Sequence, residues 1–154
     1  MNDLDPLTAL LSQSERQRDL AIADRQKAQG DSDAAATQVE QLRAYRRDYE
    51  QRWGAQFAQQ GQIQLVVCYQ GFMNRLNEAI EQQALSAELA AARLEQAVVT
   101  VRGHELQLAS VRRLIERRLA ERRDEAERGD QKLNDELAAR MAWSRLAEVR
   151  LGGA

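Results

Sequence analysis

The sequence predicts an all-α protein, a long two-helix antiparallel coiled coil or helical hairpin. Three observations lead there. The first is composition. The chain has 154 residues, of which 30% are charged and 5% aromatic, with proline present once. Ala, Gln, Glu, Arg and Leu dominate, as in long helices and coiled coils. Hydrophobic residues reach 44%, but many are alanines that bury little area each, so a long thin core is expected rather than a compact one. The second is a sustained heptad repeat in the latter half of the chain. The third is the scarcity of turns. GAQFAQQGQ, from Gly54 to Gln62, holds two glycines and lacks apolar periodicity, and it alone reads as a turn. A short turn between two long helices makes them antiparallel neighbours. The expected layout is a single coiled-coil domain over 1–154, with a first helix at about 6–53, a turn at about 54–62 and a second helix at about 63–150.

The first helix has a defined start. Asp5 suits an N-cap and Pro6 the first turn. Apolar residues follow at helical spacing: Leu7, Leu11, Ala21, Ala28, Ala35, Val39, Leu42, Tyr49 and Trp53. With Leu4 as heptad position a, Arg18 and Arg25 also fall at a positions. Gly30-Asp31-Ser32-Asp33 is a helix-weakening cluster, so the expectation is a continuous helix with a soft point near Gly30.

The second helix carries the stronger signal. With Val66 as a, the a positions Met73, Ile80, Ala87, Leu94, Val101, Leu108 and Ile115 are all apolar. The d positions are Tyr69, Leu76, Gln83, Ala90, Ala97, His104 and Val111. The phase then slips: Leu119, Ala126 and Leu133 continue the stripe four residues out of step, which is a stutter. Gly129-Asp130 is a second soft point, and the helix should end near Leu151, before Gly152-Gly153.

The helices are unequal, at roughly 75 Å and 125 Å for about 50 and about 85 residues. Folding back at the turn brings Leu7 near Val111 to Ile115. The chain from about Leu119 onward should therefore overhang. Leu133, Leu137, Met141, Trp143 and Leu146 then need a cover from outside the chain.

Charge and residue chemistry exclude several functions. A formal net charge of −2, with both signs interspersed, argues against nucleic-acid binding. The single cysteine, Cys68, allows no internal disulfide and points to a reducing compartment. No apolar run approaches a membrane span, and the N-terminus carries acids where a signal peptide would be basic. A cytoplasmic protein is expected. His104 sits at a seam position, where a polar residue sets register, and one His with one distant Cys makes no metal or catalytic site. A two-stranded coil offers no dry concavity for acid–base work. No catalytic residue, metal or cofactor is expected. The Arg-rich stretch from Val111 to Arg128 is interrupted by Glu116, Glu121, Asp124, Glu125 and Glu127, and reads as a solvated face laced with ion pairs.

One flank of the hairpin near the turn is lopsided. In an antiparallel coil the g positions of both helices share one side. Here they are Gln38, Tyr45 and Arg52 on the first helix and Leu65, Phe72 and Ala79 on the second. The opposite side, with Ala36, Arg43, Glu50, Gln70 and Asn77, is mostly polar. Tyr45 and Phe72 either widen the core or form an exposed aromatic docking patch.

Three stretches resemble the FliJ family, a small soluble component of the bacterial flagellar type III export apparatus: YRRDYEQR at Tyr45–Arg52, CYQGFMNRLNEAI at Cys68–Ile80 and DQKLNDELAAR at Asp130–Arg140. Their order, with the turn between the first two, carries the resemblance. It implies an antiparallel coiled coil similar to the central stalk of rotary ATPases. It also implies a non-enzymatic protein that binds the ring of the export ATPase FliI (with FliH), contacts the cytoplasmic domain of the gate protein FlhA and escorts export chaperones. Such a protein binds no nucleic acid and meets the inner membrane only through the export apparatus. The gate-facing positions implied are Gln38, Leu42, Tyr45, Tyr49, Phe72, Leu76 and Ala79. The ATPase-facing ones are Leu7, Leu11, Asp130, Gln131, Lys132, Leu133, Glu136, Leu137 and Arg140. The slightly acidic balance departs from the more basic character of the family. The alternatives are a homodimeric structural scaffold and the similar stalk protein of a virulence type III secretion system.

Overall fold

A computed structural model describes residues 4–59 and 62–152. It holds two helices, α1 (Leu4–Gln59) and α2 (Ile63–Gly152), which pack against each other as an all-α helical hairpin. Both expected soft points are helical, at Gly30 and at Gly129. Around Gly30, polar side chains bond within the helix. The Gln29 side-chain amide donates to Asp33 at 3.0 Å, and the Thr37 hydroxyl to the Asp33 carbonyl at 2.9 Å.

The helix ends differ from expectation in two places. Leu4 and Asp5 are already helical, so Asp5 is a first-turn acid rather than the N-cap. There its carboxylate faces the positive end of the helix dipole. Of the turn expected at 54–62, the part from Gly54 to Gln59 is helical, because α1 continues through it. The physical reason is Phe57. It stands one helical step beyond Trp53, stacks near it at 5.5 Å between ring centroids, and meets Tyr69 of α2 edge-on at 5.2 Å. Those contacts outweigh the modest helix penalty of one glycine.

The chain forms two compact units. One comprises Ser14–Gln107 and contains the helical hairpin proper. Its pairing is antiparallel. Gln38 meets Gln83, Arg46 meets Asn77 and Tyr49 meets Tyr69, so the partner number falls as α1 advances. Ala21, Val39, Met73, Leu76, Ile80 and Val101 are its buried apolar residues, with Val101 only 2% exposed. The other unit joins the first turns of α1 to the stretch of α2 from Leu108 onward. Within it Leu108 and Val111 are buried, and Leu4, Leu7 and Leu11 are half-buried.

Heptad phase accounts for this burial. On α2, every a and d position from Val66 to Ile115 is buried or half-buried. On α1 the same holds from Leu4 to Trp53, including the half-buried Arg18 and Arg25. Arg18 keeps its guanidinium toward water, bonded to Asp19 at 3.0 Å, while its stem lies in the seam. His104 is half-buried at its d position.

Candidate docking surfaces

Near the turn, six of the seven aromatic residues gather into one cluster. Tyr45, Tyr49, Trp53 and Phe57 follow each other on α1 at four-residue steps, the spacing that stacks side chains along one helix face. Tyr69 and Phe72 complete the cluster from α2. Tyr49 is the hub: its ring lies 4.5 Å from Phe72, 6.0 Å from Tyr45 and 6.0 Å from Tyr69. Beneath sits the buried group Met73, Leu76 and Ile80, with Leu42, Tyr49, Tyr69 and Phe72 packed against it.

The seven gate-facing positions implied by the resemblance therefore separate by depth. Leu76 is 8% exposed and belongs to the seam. Leu42, Tyr49 and Phe72 are half-buried against it. Tyr45 is 50% exposed, with one ring face held by its neighbours. Gln38 and Ala79 are exposed, and Gln38 accepts a hydrogen bond from the Gln83 side chain at 2.7 Å. Trp53, Phe57 and Tyr69 complete the aromatic face but were not among those seven. The four-residue step from Tyr45 to Phe57 was the available signal, obscured by reading Gly54 as a turn.

The opposite flank is held by polar contacts. The Arg46 guanidinium donates to Asn77 across the seam at 3.1 Å, and Arg43 pairs with Glu40 at 3.1 Å. Ion pairs this exposed contribute little stability, at most about 1 kcal/mol each.

The second surface lies on α2. Every described residue from Glu121 to Gly152 is exposed. Asp130, Gln131, Lys132, Leu133, Glu136, Leu137 and Arg140 all lie in this stretch, whereas Leu7 and Leu11 are half-buried. The apolar stripe is bare at Leu119, Leu133, Leu137 and Met141, and Trp143 is 73% exposed. At 100° per residue, Trp143, Leu146 and Val149 centre on the side of the helix opposite Leu133 and Leu137. The last turns are thus apolar on more than one face. In the Arg-rich stretch, Arg112, Arg113, Arg117, Arg118, Arg122 and Arg123 are all exposed, and Arg118 pairs with Glu121 at 3.9 Å.

Among the described residues no group of three or more His, Cys, Asp or Glu side chains is placed to hold a metal ion. No helix there is long and apolar enough to cross a membrane. Cys68 is an exposed free thiol at heptad c.

Neither curated proteins nor solved structures give a match to this chain. The family profile described as flagellar FliJ protein matches residues 3–147, which takes in the aromatic cluster, the seam and most of the bare stretch of α2. The chain belongs to the FliJ family and is a component of flagellar type III export.

Proposed function

We propose that this chain is the stalk-like coupling protein of the export apparatus. The uncovered stretch of α2 engages the ring of the export ATPase FliI, held with FliH. The aromatic face near the turn engages the cytoplasmic domain of FlhA, which draws the protein to the inner membrane, and the chain escorts export chaperones. Catalysis stays with the ATPase, and this chain supplies contacts. One observation carries the reading: the whole helical stretch from Glu121 to Gly152 is exposed, although Leu133, Leu137, Met141 and Trp143 lie on it. Tertiary packing provides most helical stability, so an amphipathic helix without a partner is marginal in water. Apolar groups on more than one face favour a partner that surrounds the helix, as a ring does. Tyr45 supports the gate assignment, because a half-exposed aromatic with one face already supported loses little freedom on docking.

Hydrogen exchange on the purified protein, with and without FliI, tests the proposal. Exchange should be slow from Val66 to Ile115 and fast beyond Glu125 in the free chain, and FliI should protect the fast segment. Deleting residues from Asp130 onward should abolish ring binding and leave FlhA binding intact. Unchanged exchange beyond Glu125, or full ring binding by the shortened chain, would refute it.

A further inference from the structure

Within the Ser14–Gln107 unit, α2 carries a second apolar stripe that the hairpin leaves bare. The first seam, at a and d, faces α1. On the opposite side, the c and f positions read Leu85, Leu89, Ala92, Val99, Gly103 and Leu106, with Gln96 as the polar member. All are exposed, Leu89 by 61% and Leu106 by 65%. Single exposed leucines need no explanation. A run that keeps alternating steps of three and four residues over about 32 Å of helix, with no charge on it, has the pattern of a coiled-coil seam.

We infer that this outer stripe pairs with the same stripe of a second copy of the chain. The stripe is self-complementary when two copies of α2 cross antiparallel about a two-fold axis level with the step between Ala97 and Val98. Leu89 then lies opposite Leu106 of the second copy, Ala92 opposite Gly103, and Gln96 opposite Val99. Each layer occurs twice, as an isologous interface requires. The flank follows the same register. Glu95 comes beside Arg102 of the second copy, and Arg102 beside its Glu95. Neither residue enters an ion pair among the described residues.

Gly103 is compatible with the pairing, although the other described glycines have the same open space around them. Glycine weakens a helix interior, yet a Cβ at this position meets nothing within 4 Å and the backbone has no positive φ. The hairpin itself makes no use of that glycine. A second helix approaching closely at the Ala92–Gly103 layer does. The interface is small and singly polar, so the association is weak and reversible. It uses neither the aromatic face nor the stretch beyond Glu121, so it stands or falls separately from the export reading.

Sedimentation of the full chain in reducing buffer, over a wide concentration range, tests it. Reversible dimers are expected. Glu95→Arg alone and Arg102→Glu alone should each weaken association about tenfold or more, because like charges then meet twice. The double swap should restore it. Gly103→Leu should abolish association while leaving the hairpin's thermal midpoint unchanged or raised, which separates assembly from folding. A chain that stays monomeric at every concentration would overturn the inference. So would a double swap as weak as either single variant, or dimers that persist in Leu89→Asp/Leu106→Asp and vanish on deletion from Asp130 onward.

Discussion

Leu76→Ala probes the seam at its best-packed point. Leu76 sits between Met73 and Ile80 one turn away on either side, with Leu42 and the aromatic hub against the group. The substitution removes three carbons that are almost wholly shielded from water, since the residue is 8% exposed. At about 0.8 kcal/mol per buried methylene-sized group, the lost transfer free energy is about 2 kcal/mol. A cavity contribution normally comes on top, and Leu→Ala in thick cores costs about 2–5 kcal/mol. A two-helix seam is one layer deep, so its walls can close and water can enter, which places the cost near the low end, at about 2–3 kcal/mol. Alanine's helix propensity gives back only a few tenths. Leu20, 68% exposed on α1, is the matched control: Leu20→Ala should change stability by less than about 0.5 kcal/mol. Urea unfolding followed by circular dichroism at a dilute concentration reads both, provided the slope with urea is unchanged. Equal losses for the two variants would refute the placement of the seam.

Three further outcomes are expected. Tyr45→Ala should weaken binding to the FlhA cytoplasmic domain by about 2 kcal/mol if Tyr45 is an anchor, with unfolding little changed; Arg43→Ala is the control, and a pull-down titration in which only Arg43 matters would reassign the face. Phe72→Ala should lower hairpin stability as well as binding, because its ring packs 4.5 Å from Tyr49, so thermal unfolding distinguishes the roles of the two aromatics. Gly30→Ala should stabilise α1 by about 0.5–1 kcal/mol, since an added Cβ meets nothing within 4 Å; a loss in urea unfolding would show that this helix is not regular at Gly30.

Much of this protein was legible in the order of its residues. Apolar periodicity is a local property, and it placed the a and d positions that the fold covers from Val66 to Ile115 and from Leu4 to Trp53. The mismatch in helix length was equally readable, and with it the bare stretch of α2 beyond Leu119. Phase alone put Tyr45 and Phe72 on one flank, but it left Phe57, a member of the same aromatic cluster, at an e position on the other. Tertiary structure decided what depends on the facing helix. Leu76 and Tyr45 both lie near the expected gate surface, yet one is sealed in the seam and the other, on the flank, is half open, covered only as far as the rings of Tyr49 and Phe72 reach it. Helix α1 runs through Gly54 because Phe57 finds Tyr69 across the hairpin, a contact between residues with the turn between them that no local propensity encodes. The bonds from Arg46 to Asn77 and from Gln38 to Gln83 likewise exist only once register is set. Sequence determines which face of each helix is apolar; the alignment of two helices determines how much of that face remains for a partner.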